Sequence, residues 1–539
     1  MSESRATKSE SRATAIGLAA FSVAYFAYAA TVASIRPFWY DEIITYTVGL
    51  QPGAAAVWDL LGRGPDASAP LHPMIILGLY GLLPRTELVT RLPAIAGIWV
   101  MMLCMFAYVA RGCGTRAAWV ALLFPMSTLA LVYVAEGRPY GLLLGVSALA
   151  LVCWQAIGRA STPAGRGLAR LGLAASLAAS VASHYFAVLV FIPIGLGELA
   201  RGRERRRVDR GTWAATLLGL APLLACLPLI RHARSFSTED FWAAGASLAD
   251  VPEYYRELLG PSLLPVLIAL GLSPIAARWV RLGRWPAGPT PGEGPPPGEI
   301  AAAMGFAALP VFGIGLVQLG TEHAAFTVRY ALPAVIGAGI LASYVVAAIG
   351  KPAGLDRLLA LLLAASFASR ATADMADGPR GRGLEYVAGR VAAAGEPVVY
   401  CDFHRFSQLT FYGDDPFRSR VVSLLGYHPE AATGDRIERL FRPLYPPDRT
   451  PWMEEYEDFI AARRRFLVHP DRSDALLGRL LDDGAAVECI RVGEKPFYRV
   501  TLPGPGDPGR AAPAPSSRPV RGVRIRHPGP PETRGGPRR

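Results

Sequence analysis

Asp41 and Glu42 stand side by side in the stretch Pro37-Phe38-Trp39-Tyr40-Asp41-Glu42-Ile43-Ile44-Thr45-Tyr46, directly after an apolar run from Thr14 to Ile35. A carboxylate placed there can take a proton from an incoming nucleophile, provided that nearby cations absorb the negative charge developing on the group displaced. Further candidates follow along the chain: Asp66, Glu136 with Arg138 and Tyr140, His184 with Tyr185, and Glu322, His323 and Arg329. Together they supply a base and cations. Each also has a plain alternative: arginines snorkel, Glu136 can pair with Arg138, and His184 can cap a helix turn. The set carries weight only if one side of a membrane holds all of it.

The chain has 539 residues, of which 52% are hydrophobic and 18% charged, with the apolar residues gathered in blocks. This excludes an ordinary soluble enzyme and implies a polytopic α-helical membrane protein. The formal charge of +12 does not point to nucleic acid, because the arginines cluster between apolar blocks and in a Pro/Gly-rich tail. The first apolar run lacks a clear small-residue cleavage site and is expected to stay as a helix. Arg5, Lys8 and Arg12 precede it, so residues 1–13 are expected in the cytoplasm, with Asp41 and the segment 36–69 on the opposite face.

Basic loops at Arg111 and Arg116, at Arg159 to Arg170, and at Arg201 to Arg210 mark the cytoplasmic side. The expected crossings between them turn outside at Glu136-Gly137-Arg138-Pro139 and at Ser183-His184-Tyr185. Of Pro70 to Leu83 and Leu92 to Ala110, the shorter is expected to be re-entrant or incompletely spanning. Thr212 to Ile230 should cross outward, followed by an interfacial segment with Phe236, Phe241, Trp242, Tyr254 and Tyr255 that covers the site. Ser262 to Ala277, Ile300 to Leu319, Tyr330 to Ile349 and Leu355 to Ser369 complete about 11 crossings, with a cytoplasmic linker at Pro286 to Gly298. The sequence thus divides into a membrane domain over 14–371, an extracytoplasmic α/β domain over 372–502 and a disordered Pro/Arg-rich tail over 503–539.

Within the α/β domain, Leu384 to Ala394 and Asp474 to Asp482 read as helices, and Pro397 to Cys401, Phe466 to His469 and Val487 to Val492 as strands, in an alternation that suits a parallel sheet. Cys104, Cys113, Cys153 and Cys226 have no metal-ligand spacing and read as small core residues, while a disulfide between Cys401 and Cys489 is left open.

Several short motifs in this order resemble the GT-C superfamily of polytopic glycosyltransferases, especially family 39-like enzymes related to protein O-mannosyltransferases and lipid A aminoarabinose transferases. Asp41-Glu42 resembles the acidic pair of the family's first outer loop. Ser68-Ala69-Pro70-Leu71-His72-Pro73 is similar to an HPPL-type helix entry, with Ser68 and Ala69 where that motif has a polar or basic residue and its first proline. Thr86 to Pro93, containing Glu87 and Arg91, Tyr133 to Leu143 around Glu136-Gly137-Arg138-Pro139-Tyr140, Ser183 to Phe186, and Arg329-Tyr330-Ala331-Leu332-Pro333 resemble the downstream motifs.

The resemblance implies a GT-C fold in a cell membrane and a polyprenyl-phosphate-linked sugar as donor, with a lipid, glycan or protein acceptor. It also implies inverting transfer on the extracytoplasmic face, where Asp41 is the general base. A leaving phosphate needs cations instead of a second acid, so Arg138 and Arg329 are expected to neutralise it, with Glu136, Tyr140, His184 and Tyr185 lining the donor site. Glu42 is left three roles: orienting the acceptor, tuning Asp41, or helping to hold a divalent cation, since metal dependence varies in the superfamily; the sequence carries no decisive metal-ligand cluster, and a divalent cation is left open as a cofactor. A polytopic transporter is the competing class, but its charges would sit near the bilayer midplane. A non-catalytic membrane scaffold leaves the grouping of Asp41, Arg138 and His184 without a purpose.

Overall fold

The computed structural model describes residues 2–64, 66, 68–234, 246–264, 295–320, 326–349, 355–376, 396–413, 418–427, 452–469, 473–492 and 495–503. Two compact units are present: Met1–Leu384 with Arg439–Pro446, and Glu385–Glu438 with Pro447–Arg539.

The first unit is helical. It begins with α1 (Ser2–Ile35), α2 (Tyr40–Gly49), α3 (Ala54–Leu61), α4 (Leu71–Leu82), α5 (Glu87–Leu123), α6 (Tyr140–Arg159), α7 (Pro163–Ser183) and α8 (Phe191–Arg205). Among the described residues five helices are long and apolar enough to cross a membrane, or seven if each of two bent pairs counts as one span. One of the five doubles back. Gly114 has φ +82°, a conformation glycine adopts without strain, and the Phe106 and Trp119 rings lie 5.3 Å apart where a straight helix would separate them by about 20 Å. Arg111 and Arg116 therefore flank a hairpin turn, as their spacing predicts.

The expected crossing over Ala117 to Ala135 is α-helical only as far as Leu123. Beyond it the chain continues as 3-10 turns over Phe124–Ser127 and Leu129–Ala135, because Pro125 has no N–H to donate and the Thr128 hydroxyl accepts the Ala130 N–H at 3.2 Å. Pro70 to Leu83 is indeed short, a 12-residue helix. The linker predicted to run to Gly298 is already helical at Pro297. The crossing placed at 262–277 lies largely outside the described residues, as do Phe236, Phe241 and Trp242.

Helices α5 and α6 carry the site and touch backbone to backbone. A Cβ on Gly97 would fall 2.2 Å from the Gly141 carbonyl oxygen, and one on Gly145 2.5 Å from the Gly97 oxygen. Small residues at these positions let the helices approach closely without a hydrophobic driving force, as membrane interiors require. At the end of α1, Arg36 pairs with Asp374 at 2.5 Å and the Tyr28 hydroxyl donates to the same carboxylate at 2.9 Å. This ties the entry of the Asp41 stretch to the Leu355–Ala376 helix.

The second unit holds a six-stranded sheet in the order β3-β2-β1-β4-β6-β5, built from β1 (Val398–Val399), β2 (Val421–Leu425), β3 (Trp452–Glu455), β4 (Arg465–Val468), β5 (Ala486–Val492) and β6 (Lys495–Thr501). Strands β3, β2, β1 and β4 are parallel, and β6 and β5 close the sheet antiparallel. The sheet is thus mixed where the alternation suggested a parallel one. The Asp474–Asp482 helix falls where predicted and buries Leu476, Leu477 and Leu480. The helix expected over 384–394 and the tail from residue 504 lie outside the described residues.

Candidate active site

Neighbouring residues on an α-helix point about 100° apart, so Asp41 and Glu42, in the first turn of α2, cannot face one site together. They do not. Glu42 is buried, 1% exposed, and forms a bidentate pair with the equally buried Arg91, Nε to Oε1 and Nη2 to Oε2 both at 2.7 Å. The Gly137 N–H donates to Oε1 at 2.6 Å and the Trp39 N–H to Oε2 at 3.3 Å. Arg91 donates further to the carbonyls of Ala33, Arg36 and Pro37. Both oxygens are thus engaged by protein donors, in bonds that join Glu42 to the chain on both sides of Asp41 and to the turn at Gly137. Gly137 is needed here because a Cβ would meet Thr90 Cγ2 at 2.8 Å and Glu42 Oε1 at 3.2 Å.

Asp41 faces the other way, toward two cations. Arg329 Nη1 lies 3.5 Å and Arg138 Nε 4.0 Å from Asp41 Oδ2, distances that are electrostatic contacts, too long for hydrogen bonds. Arg138 is fixed through its other nitrogens. Nη1 donates to the Asp41 carbonyl at 3.2 Å and to Thr45 Oγ1 at 3.0 Å, and Nη2 donates to Ser68 Oγ at 3.2 Å. Asp66, 3% exposed, stands 3.7 Å from Arg138 Nη1 and accepts both the hydroxyl and the N–H of Ser68, at 2.6 and 3.1 Å. Two segments distant from it in sequence, 41–45 and 66–68, converge on the Arg138 guanidinium.

Glu136 precedes Gly137 at the start of the turn into α6. Among the described residues its carboxyl makes no hydrogen bond or ion pair, and burial pushes it up to about 8, helped by the Glu42 and Asp41 carboxylates against the pull of Arg329 and Arg138. The alternative pairing with Arg138 is not formed. His184 caps the turn at Tyr185–Val190, its Nδ1 accepting the Phe186 N–H at 3.3 Å, which leaves the ring proton on Nε2. Burial, with the two guanidiniums adding to it, holds this imidazole down to about 3. The His184 ring lies 5.5 Å from Tyr140 and 4.9 Å from Tyr330, and Arg329 stands 5.8 Å from each of those tyrosine rings. The Tyr185 hydroxyl reaches the Ser68 carbonyl at 3.3 Å.

The structure therefore gathers Asp41, Glu136, Arg138, Tyr140, His184, Tyr185 and Arg329 and turns Glu42 inward. Glu322 and His323 lie outside the described residues. Tyr254 and Tyr255, expected at an interface over the site, pack into the bundle and donate to the carbonyls of Phe326 and Ala307 at 2.6 and 2.7 Å. Tyr254 thereby holds the segment that carries Arg329. Sequence reasoning gave Arg91 no partner; an arginine in an apolar helix was the available signal, since such a charge must find a counterion. Among the described residues no group of three or more His, Cys, Asp or Glu side chains is arranged to hold a metal ion.

No family model matches the sequence, and no curated protein does. Solved structures that share its fold include two of one protein. ArnT from Cupriavidus metallidurans in the apo state superimposes with a TM-score of 0.56 at 13% identity, over 90% of this chain and 98% of that one. The same protein bound to undecaprenyl phosphate gives 0.55 at 14%, over 92% and 99%. Across nearly the full length of both proteins, the chain shares the fold of these ArnT structures, a mostly helical protein with several apolar helices and a small sheet.

Proposed function

We propose that the protein is a membrane glycosyltransferase that moves a sugar from a polyprenyl-phosphate-linked donor to an acceptor on the extracytoplasmic face, with inversion and with Asp41 as general base. The observation that carries this reading is the loose contact of Asp41 with two arginines. A carboxylate pinned by short bidentate bonds, as Glu42 is, would be a poor base; Asp41 is held at 3.5 and 4.0 Å. A phosphate arriving between Arg138 and Arg329 would compete for both guanidiniums and release the carboxylate as the donor docks. The binding of undecaprenyl phosphate by a protein of the same fold supports the choice of donor class.

The steps then follow from the residues. The acceptor hydroxyl gives its proton to Asp41 as its oxygen bonds to the anomeric carbon, and the bond from that carbon to the phosphate oxygen breaks on the opposite side. The electron pair leaves with the phosphate, whose charge Arg138 and Arg329 absorb. Tyr140, His184 and Tyr330 offer an apolar wall with a neutral ring N–H from His184. Glu42 and Arg91 act by positioning. Undecaprenyl-phosphate sugars presented to the protein in proteoliposomes test the reading: transfer to water or an added acceptor, lost in Asp41→Asn, supports it. Full transfer by a folded Asp41→Asn protein removes Asp41 as base, and binding or translocation without transfer replaces the enzyme by a carrier.

A further inference from the structure

The turn between α8 and α9 (Arg210–Leu218) carries more positive charge than its acids can balance. Six of the ten residues 201–210 are arginine. Of the acids beside them, Glu198 is taken by Arg201 at 3.2 Å and Asp209 by Arg170 at 2.6 Å, and Arg205 is spent on the Gly158 carbonyl at 3.1 Å. Glu204 is left against Arg203, Arg206, Arg207 and Arg210. These four, with Arg166 on α7, are exposed and make no ion pair among the described residues.

Topology asks only that basic residues lie on this side of the membrane. Two placements go further. Arg206 ends α8 with φ +50°, in the left-handed region where a glycine sits without strain and an arginine sits at a cost. Arg210 opens α9, and a helix N-terminus is the positive end of the dipole, which disfavours a cation. The dipole of α8 accounts for Arg203 and Arg205 in its last turn, but not for Arg206, Arg207 or Arg210. Charges kept where the backbone disfavours them call for an anion that the chain does not supply.

The neighbouring side chains say what carries that anion. Leu168, Leu171, Leu199 and Val208 are 60 to 71% exposed, an apolar rim beside the arginines that suits acyl chains below a layer of headgroups. The parts meet closely: a Cβ on Gly211 would fall 2.4 Å from the Arg170 guanidinium carbon, so α7 and α9 touch here. The turn is joined through the Gly158 carbonyl to the end of α6, whose 20 residues set it about 30 Å from Tyr140, the thickness of a bilayer core. We propose that Arg166, Arg203, Arg206, Arg207 and Arg210 form a docking surface for the phosphate headgroups of anionic phospholipids in the leaflet opposite Asp41. Guanidinium geometry matches phosphate oxygens, and several along one turn match a negatively charged leaflet.

The test moves the full chain from nanodiscs of mixed phosphatidylcholine and phosphatidylglycerol into detergent and counts the lipids each molecule retains by native mass spectrometry. The wild type should retain phosphatidylglycerol over phosphatidylcholine, in a ratio that falls as salt rises. Arg206→Gly removes one charge and suits the left-handed backbone, so it should lower that ratio about fivefold while unfolding in phosphatidylcholine alone at a temperature close to that of the wild type. Arg206→Lys should restore most of the ratio, and the triple variant Arg203→Gln, Arg206→Gln, Arg207→Gln should lose more than Arg206→Gly. Arg85→Gln, which removes an exposed arginine just before α5, should leave the ratio unchanged. The proposal is overturned if the wild type has no preference, if Arg206→Gly and the triple variant keep it, or if Arg85→Gln loses as much, which would make net charge the cause. Displacement of the retained lipid by millimolar inorganic phosphate would also overturn it, since the turn would then be a site for free anions.

Discussion

The two ends of α6 carry the same kinds of residue to opposite effect. At the Arg159 end, Arg159 pairs with Glu299 at 2.8 Å, Gln155 donates to the same carboxylate at 3.0 Å and accepts from Arg111 at 3.1 Å. Nearby, Glu198 takes Arg201 at 3.2 Å and the Trp154 N–H at 2.9 Å, with the Arg201 guanidinium 3.7 Å above the Trp154 ring. None of these side chains leaves a buried polar atom without a partner. At the Tyr140 end, Asp41 is held loosely, Glu136 is unpaired among the described residues, and Arg138 and Asp66 each leave an atom unused. Charge alone therefore does not mark a site in an apolar protein. Unspent hydrogen-bonding capacity separates these two clusters, although single unused atoms also occur elsewhere, at Arg170 Nε and Thr212 Oγ1 beside Asp209 and at Glu396 and Arg499 in the second unit.

If that contrast is right, substitutions at the two ends should separate rate from stability. The largest effect is expected at Asp41. Asp41→Asn should lower sugar transfer about a hundredfold or more while shifting thermal unfolding in detergent little, since no short hydrogen bond of its carboxylate is lost. Next comes the saturated pair beside it. Glu42→Gln or Arg91→Ala leaves a buried charge uncompensated, which typically costs about 3–5 kcal/mol, so these variants should lose folded protein first; a variant that stays fully folded and inactive would return Glu42 to the chemistry. At the far end, Glu299→Gln should destabilise by roughly 1–2 kcal/mol, discounted because Arg159 is 38% exposed. The transfer rate per folded molecule should be unchanged. A rate loss at Glu299 equal to that at Asp41 would dissolve the distinction between the ends.

Much of this arrangement was legible in the sequence, for reasons that differ by element. The basic loops and apolar lengths located the turns carrying Glu136-Arg138 and His184, and the motif order brought in Arg329. Local periodicity could not show that Glu42 turns inward, because a short α2 begins at Tyr40 and the partner, Arg91, comes from another helix. Nor could it show the saturation of Asp66 by Ser68 on one oxygen only, which depends on tertiary contact. In the second unit, the seven-residue β5 and the Asp474–Asp482 helix stood out by pattern, whereas β3, Trp452 to Glu455, carries two glutamates and reads as polar. Its place at the sheet edge beside β2 explains why that polarity is tolerated.

The smallest effect, and the one that probes the unsatisfied end without removing a charge pair, is the pH dependence set by Glu136. Its carboxyl is pushed up to about 8 in the folded protein from 4.5, so the folded state binds a proton that the unfolded state releases between those values. Stability should therefore be greatest below about pH 4.5 as far as this group is concerned, decline as pH rises toward 8, and level off above it. His184 acts in the opposite sense and in a separate window. Held down to about 3 from 6.5, it costs stability only as pH falls below about 6.5 and its unfolded form takes up a proton. Between pH 6.5 and 8 Glu136 is thus the group of the two that titrates. Thermal unfolding of the wild type in nanodiscs should fall across that interval, and Glu136→Gln, neutral at every pH, should flatten the slope. Asp41→Asn should flatten it in part, since Asp41 is one of the carboxylates that raise Glu136. A slope unchanged by Glu136→Gln would mean that Glu136 is ionised and paired at neutral pH, which would make the site end as saturated as the Arg159 end and remove the contrast between them.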